Sequence, residues 1–209
     1  PISSAIADAL EGYRWLCRAG YGAGQIVVAG DSAGGYLAFM TALSIRATDL
    51  PRPAGVVAIS PLTDISPDRI GCGNGHGCPG FPPHAAAVFT RYLARAQAKI
   101  TINGKPAPLT SPVAEDLGGL PPVMIHAGAD ELLVGDAKLM TDRLRASGVP
   151  CDLHLWKGQL HDFAVAGNAT PESRRTIAMM GRFVQDVTAQ HLTSPNRRPY
   201  STSALAAAS

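Results

Sequence analysis

A serine flanked by glycines stands between two apolar segments early in the chain. Residues 30–34 read Gly-Asp-Ser-Ala-Gly, with an apolar run at 25–29 before them and another at 36–40 after them. The pattern G-x-S-x-G between a strand and a helix is typical of a nucleophile elbow, in which the turn is so tight that a Cβ at Gly30 or Gly34 would clash with neighbouring backbone. We therefore predict that Ser32 is held above a sheet, at the start of a helix.

A serine nucleophile needs a base and a residue that orients the base, and candidates for both follow downstream. Residues 122–128 predict a buried strand, and Asp130 lies just past its end, where parallel sheets place their functional groups. Residues 151–156 alternate as a strand, and His161 lies in the loop beyond it. The order serine, acid, histidine is the order found along α/β-hydrolase chains. We therefore predict a triad of Ser32, Asp130 and His161.

Other titratable residues compete for these roles. Asp136 follows the same strand as Asp130, but it stands where a helix is predicted to begin and where a carboxylate complements the helix dipole; it is kept as the alternative acid. His154 lies on the last strand and is interpreted as a surface or partly buried residue. His126 lies within a buried strand and is interpreted as a core histidine. Asp31 precedes the nucleophile and is not expected to react.

Several spaced motifs together resemble the hormone-sensitive lipase family, the bacterial type IV esterases of the α/β-hydrolase fold. The matching pieces are residues 30–35, which add Gly35 to the elbow, and residues 60–64, 120–123, 129–137 and 156–163. The resemblance implies hydrolysis of carboxylic esters, with Ser32 as nucleophile, His161 as general base and then acid, and Asp130 orienting the imidazole. The backbone N–H of Ala33 would be one oxyanion donor. This chemistry requires no metal and no organic cofactor.

The sequence departs from that family at its beginning. Members carry a His-Gly-Gly-Gly stretch upstream of the elbow that supplies further oxyanion donors, whereas this chain has only 31 residues before Ser32 and no such stretch. We therefore expect residues 1–190 to form the C-terminal portion of an α/β-hydrolase fold, a mostly parallel sheet flanked by helices. Residues 26–28 would then form an apolar, unpaired edge strand. We therefore expect a truncated or processed product, or one half of an esterase that needs its N-terminal partner segment.

Two alternatives to an esterase stay open at this point. The missing oxyanion loop favours a catalytically impaired hydrolase scaffold that serves as an interaction module. A serine peptidase or amidase of the same fold is the weaker alternative, because ester and amide hydrolysis use the same triad. For an esterase, the expected substrates are small, short-acyl esters.

The hydrophobic pattern predicts alternating strands and helices. Strands are predicted near 25–30, 55–60, 122–128 and 151–156, and helices near 4–18, 33–47, 86–98, 136–147 and 171–190. The first helix would bury Ile6, Leu10, Tyr13 and Cys17, which are spaced by four, three and four residues. The last would begin with Thr170 as N-cap and Pro171, and would bury Ile177, Met180, Phe183, Val184 and Val187. Residues 191–209 are predicted to be a disordered tail.

Residues 66–110 are interpreted as a loop region that walls the substrate site. Cys72, His76, Cys78 and His84 are metal-ligand types, but their spacing matches no common zinc site, so no metal is predicted. Cys72 and Cys78 would pair as a disulfide if the protein is exported. The other two cysteines, Cys17 and Cys151, are interpreted as small hydrophobic residues on a helix and a strand.

The composition and charge of the chain limit the kinds of partner that we predict for it. A net charge of +2 is too small to favour nucleic acid, and no apolar run approaches the roughly 18 residues of a membrane span. The first residues lack a basic start followed by an apolar stretch, so no signal peptide is predicted and a cytoplasmic location is the default expectation. The resemblance also implies a homodimer formed through residues 151–156 and 171–190.

Overall fold

A computed structural model describes residues 2–48, 50–66, 101–102, 105–106, 110–167 and 169–193. Its strands are β1 (Val27–Asp31), β2 (Gly55–Ile59), β3 (Thr101–Ile102), β4 (Lys105–Pro106), β5 (Val123–Gly128) and β6 (Cys151–Trp156). Its helices are α1 (Ile2–Arg18), α2 (Ala33–Arg46), α3 (Val134–Ala146) and α4 (Pro171–Thr193). The four predicted strands and four of the five predicted helices are confirmed. The helix predicted near 86–98 lies outside the described residues.

The main sheet has the order β1-β2-β5-β6, and every neighbouring pair is parallel. All six residues of β5 are buried, because helices cover both of its faces. Val123, Ile125 and Ala127 pack into a core with α2 and α3, whereas Met124 packs against Phe183 of α4. This arrangement confirms the predicted mostly parallel sheet flanked by helices. The antiparallel pair of β3 and β4 forms a separate small sheet.

Strand β1 is an edge within the described part of the chain. There it pairs with β2 alone, and its residues are half-buried or exposed, whereas four of the five residues of β2 are buried. Ala29, at the centre of β1, is exposed. The unpaired edge predicted at residues 26–28 is therefore present among the described residues. It is strand β1, which begins one residue later and extends to Asp31.

The helix faces agree with the sequence pattern for α1 but only partly for α4. Tyr13 and Cys17 are buried, with Ile6 and Leu10 partly buried, as predicted for α1. In α4 the buried stripe contains Ser173, Thr176, Phe183 and Val187, with Met180 partly buried. The prediction that Ile177 and Val184 belong to this face is wrong, since they are 42% and 37% exposed. Each follows a buried residue by one position, which turns it about 100° around the helix.

The ends of α4 also differ in part from the prediction. Thr170 Oγ1 accepts a hydrogen bond from the Ser173 N–H at 3.1 Å, so the predicted N-cap is confirmed. The helix continues to Thr193, three residues beyond its predicted end, so residues 191–193 are helical. The rest of the predicted tail lies outside the described residues. Among the described residues, none of the helices combines the length and apolar character that crossing a membrane requires.

Candidate active site

Ser32 stands at the junction between β1 and α2 in a strained backbone conformation. Its φ of 49° and ψ of −115° lie outside the common regions for a residue with a side chain. The Ser32 N–H donates to the Ile59 carbonyl at 2.9 Å, and the Ser32 carbonyl accepts the Leu62 N–H at 3.0 Å. These two bonds tie the turn to the end of β2, which places Ser32 at the carboxyl edge of the sheet.

The elbow requires glycine at two positions, and only one of them is among the two that the pattern predicts. A Cβ on Gly30 would lie 2.1 Å from the Gly34 carbonyl oxygen, and a Cβ on Gly35 would lie 2.7 Å from Pro61 Cβ. A Cβ on Gly34 would meet only Asp31 Oδ1, at an ordinary 3.5 Å. The steric requirement therefore holds for Gly30 and Gly35, while the requirement predicted for Gly34 is wrong.

The imidazole of His161 lies between the serine and a buried carboxylate. His161 Nε2 is 3.0 Å from Ser32 Oγ, and His161 Nδ1 is 2.6 Å from Glu131 Oε2. These contacts join residues that are far apart in sequence, from the ends of β1, β5 and β6. A serine hydroxyl, an imidazole and a carboxylate in this sequence of contacts form the geometry of a catalytic triad.

The carboxylate in this arrangement belongs to Glu131, one residue beyond the predicted Asp130. Glu131 is 1% exposed, and its Oε1 accepts the Gly128 N–H at 3.2 Å while its Oε2 faces His161. Asp130 is exposed on the same turn. The predicted contact between Asp130 and His161 is thus corrected to Glu131. Both acids follow β5, so the expectation that functional groups lie just past strand ends located the correct turn. Which of the two acids reaches His161 depends on the direction of their side chains in that turn.

The alternative acid, Asp136, has a different environment. Its Oδ2 accepts the backbone N–H groups of Thr63 and Asp64 at 2.8 and 2.9 Å, and its own carbonyl accepts the Thr63 hydroxyl at 3.2 Å. Asp136 lies in the first turn of α3, as predicted, and is 8% exposed. It therefore fastens the loop after β2 to α3, and the prediction of Asp136 as the alternative triad acid is not supported.

We expect Asp136→Ala to lower the free energy of unfolding by about 3 kcal/mol, because two backbone N–H groups of a buried loop lose a charged acceptor. Urea denaturation followed by circular dichroism measures this change. A suitable control is Asp116→Ala: Asp116 is exposed and accepts one backbone N–H, that of Gly118, so its loss should cost less than about 1 kcal/mol. Equal effects of the two substitutions would contradict this role of Asp136.

The loop at residues 60–64 contacts the residue that follows His161. The Ser60 N–H donates to the His126 carbonyl at 2.7 Å, and Ser60 Oγ accepts the Asp162 N–H at 3.1 Å. Ser60 is fully buried and has a φ of 44°. The sequence identified this segment only as a matching motif; its role in holding the residue after His161 was missed, and no local signal indicates it.

The charges around His161 favour its protonated form. Burial opposes protonation, but the hydrogen bond to Glu131 and the charges of Asp162, Glu131 and Asp31 outweigh it and raise the His161 pKa. Asp162 itself lies with Oδ2 3.2 Å from His161 Nε2. Burial of the Asp162 carboxyl raises its pKa to about 6. The charge of His161 and a hydrogen bond with Ser60 oppose this shift, and the carboxylates of Asp31 and Glu131 reinforce it.

Ala33 is the first residue of α2, so its N–H belongs to the first turn, whose N–H groups have no partner within the helix. The Ser32 side chain does not cap this helix; its Oγ instead meets His161. Asp31, which ends β1, is exposed. The structure thus brings Ser32 and His161 together, with Ala33 at the helix start beside them.

Two further histidines, His126 and His154, lie within β5 and β6. His126 is completely buried, its Nδ1 accepts a hydrogen bond from Trp156 Nε1 at 3.1 Å, and its ring stacks on His154 with centroids 4.8 Å apart. Burial, reinforced by His154, lowers the His126 pKa to about 3, so this ring is neutral. His126 is a core histidine and His154 is partly buried, as predicted.

Two of the four cysteines can be placed. Cys17 and Cys151 are free and buried, which agrees with their interpretation as small hydrophobic residues. Cys72, His76, Cys78 and His84, and with them most of the predicted substrate wall, lie outside the described residues.

Comparison with known proteins agrees with the observed fold. Residues 1–165 match a family model described as the α/β hydrolase fold. Esterase LipU of Mycobacterium tuberculosis is 38% identical over 90% of this chain and 63% of its own length. The solved structure of an esterase from the bacterial hormone-sensitive lipase family is 31% identical, with a TM-score of 0.72 over 88% of this chain and 60% of that one.

A third relative, EstE5, was solved after a soak with p-nitrophenyl butyrate; it is 31% identical, with a TM-score of 0.74 over 90% of this chain and 62% of EstE5. The chain therefore spans about three-fifths of the length of these relatives. The family model matches more than half of the chain, the identities to these relatives exceed 30%, and the fold is shared. Together these findings assign the chain to a family. The chain belongs to the hormone-sensitive lipase family of α/β-hydrolases.

Proposed function

We propose that this chain carries the catalytic centre of a carboxylic ester hydrolase that works through Ser32, His161 and Glu131. The observation that carries the proposal is the pair of contacts made by one imidazole, 3.0 Å to Ser32 Oγ and 2.6 Å to Glu131 Oε2. Relatives named as esterases support ester hydrolysis as the reaction. The butyrate ester soaked into EstE5 supports short-acyl esters as the substrate class.

The mechanism follows from these contacts. Glu131 accepts the Nδ1–H of His161, so the lone pair of Nε2 faces the Ser32 hydroxyl. As Ser32 Oγ attacks the ester carbonyl, its proton moves to Nε2, and Glu131 stabilises the imidazolium that forms. The Ala33 N–H, at the positive end of α2, would donate a hydrogen bond to the oxyanion. The imidazolium then protonates the departing alcohol oxygen, leaving an acyl group on Ser32. Water repeats the sequence and releases the acid.

A fluorophosphonate probe tests the proposal, because it reacts preferentially with a serine that is activated as a nucleophile. We expect the purified 209-residue chain to acquire one adduct at Ser32, located by mass spectrometry, and to hydrolyse p-nitrophenyl butyrate. Ser32→Ala should abolish labelling and lower kcat by a factor on the order of 10⁴ or more. His161→Ala, with Ser32 intact, should also prevent labelling.

The same assay separates the alternatives left by the sequence. Faster hydrolysis of the matching p-nitroanilide would favour an amidase. A chain that circular dichroism shows to be folded but that neither labels nor hydrolyses either substrate would contradict the proposed function and favour a scaffold.

A further inference from the structure

The imidazole of His161 has a carboxylate on each side. Glu131 Oε2 lies 2.6 Å from Nδ1, and Asp162 Oδ2 lies 3.2 Å from Nε2. Nε2 is also the nitrogen that lies 3.0 Å from Ser32 Oγ. The proposed mechanism uses Glu131 but gives no role to Asp162, although Asp162 contacts the atom that must take the serine proton.

Asp162 is held at this position by an uncommon backbone conformation. Its φ of 55° and ψ of 27° are left-handed, which non-glycine residues adopt at a cost in free energy. Its N–H is fixed by Ser60 Oγ at 3.1 Å, and Ser60 is in turn fixed by the His126 carbonyl at 2.7 Å. Ser60 and Asp162, in two neighbouring loops, therefore both have strained backbone conformations. Together they place the Asp162 carboxylate beside His161.

The contact between Asp162 and Nε2 requires a proton. When Nδ1–H is donated to Glu131, a neutral His161 presents a lone pair at Nε2, and a lone pair and a carboxylate oxygen repel each other at 3.2 Å. A proton between the two atoms turns this repulsion into a charge-assisted hydrogen bond. The second oxygen, Oδ1, is buried and has no hydrogen-bond partner among the described residues.

We propose, on the basis of the function proposed above, that Asp162 is a positioning residue that acts through His161. It holds a proton on Nε2 at acid pH and so sets the pH below which His161 ceases to act as a base. It also stabilises the imidazolium that forms when Ser32 transfers its proton. No other reactant is needed: the proton on Nε2 comes from solvent at acid pH and from Ser32 Oγ during the attack, and it leaves to solvent or to the departing alcohol.

The electrostatic surroundings are consistent with this role. The described carboxylates that act on the imidazole are Glu131 from the turn after β5, Asp31 from the end of β1, and Asp162 from its own loop. Together they raise the His161 pKa against the effect of burial. A group with a raised pKa loses its proton later as pH rises, so the free base appears only at higher pH. Because Asp162 and His161 interact directly, the pair titrates as a unit.

The test compares the pH dependence of wild type, Asp162→Asn and Asp162→Gly. The Asn variant keeps the shape of the side chain without its charge. The Gly variant removes the side chain, and it should fold because glycine adopts the left-handed backbone conformation of residue 162 without strain. The measurements are the fluorophosphonate labelling rate of Ser32 and kcat/KM for p-nitrophenyl butyrate. We expect both variants to move the midpoint of the acid limb to lower pH by about one unit or more. At the pH plateau kcat should fall while KM stays constant, because imidazolium stabilisation is lost.

Asp152→Asn is the matched control, since it removes an exposed carboxylate from β6 without touching His161, and its acid limb should coincide with that of wild type. Acid limbs of both Asp162 variants that coincide with wild type, in folded protein that labels at Ser32, would overturn this inference and leave the proposed function intact. A folded wild-type chain without labelling or hydrolysis at any pH would overturn the proposed function. In that case an NMR titration of the His161 ring still decides the inference: a pKa unchanged by Asp162→Asn overturns it, and a lowered pKa supports it.

Discussion

Glu131→Gln is expected to lower kcat for ester hydrolysis by a factor on the order of 10³–10⁴, as loss of the carboxylate does in serine hydrolase triads. Glutamine keeps the length of the side chain, and its carbonyl oxygen can still accept the Gly128 N–H, as Glu131 Oε1 does at 3.2 Å. It removes the negative charge that lies 2.6 Å from His161 Nδ1. The imidazolium then loses its stabilising partner, and the amide group can present an N–H that favours the wrong tautomer of His161.

The matched control is the neighbouring acid. Asp130→Asn removes an exposed carboxylate from the same turn, so its turnover should remain close to that of wild type. Steady-state hydrolysis of p-nitrophenyl butyrate measures both variants, and circular dichroism confirms that each is folded. The opposite ranking, with Asp130→Asn inactive and Glu131→Gln active, would return the acid role to Asp130 and contradict the contact seen at His161.

Gly30→Ala is expected to lower the free energy of unfolding by about 3 kcal/mol or more and to abolish labelling of Ser32. The added methyl group would lie 2.1 Å from the Gly34 carbonyl oxygen and 2.9 Å from the Gly35 nitrogen. These are backbone atoms in the first turn of α2, so no side chain can rotate to relieve the overlap. The turn must open, which moves Ser32 Oγ away from His161 Nε2.

Gly34→Ala provides the comparison within the same turn. Its Cβ would meet only Asp31 Oδ1 at 3.5 Å, and alanine is the better helix former, so stability should change by less than about 1 kcal/mol. Urea denaturation and the fluorophosphonate labelling rate measure the two variants in parallel. Equal destabilisation by both substitutions would show that the pattern G-x-S-x-G, and not the packing of Gly30 against Gly34, determines the turn.

Local information accounts for much of the fold and for two members of the proposed triad. Ser32 is recognisable because a nucleophile elbow needs small residues at fixed spacing between a strand and a helix. His161 is recognisable because it follows the last strand in the expected chain order. The strands are recognisable because buried parallel strands are continuous apolar runs, as in residues 122–128.

Helix faces and glycine requirements were harder to predict, because they depend on neighbouring elements. The apolar pattern of α4 predicts that Ile177 and Val184 belong to the buried face, but the buried stripe begins with two hydroxyl residues, Ser173 and Thr176. Similarly, Gly35 is required by Pro61, which comes from the loop after β2. Neither the buried face of α4 nor the requirement for Gly35 can be predicted from the residues of one segment alone.

The sequence by itself determined the parallel α/β architecture, the elbow at Ser32 and the position of His161 after the last strand, because hydrophobic period and turn chemistry act over a few neighbouring residues. Only the tertiary structure decided which carboxylate reaches His161 and that a second one, Asp162, lies on its other nitrogen. Asp130 and Glu131 are adjacent acids on one turn, so pattern and chain order cannot separate them. The separation comes from burial: the turn directs Glu131 into the protein, toward the Gly128 N–H and the imidazole, and leaves Asp130 in solvent.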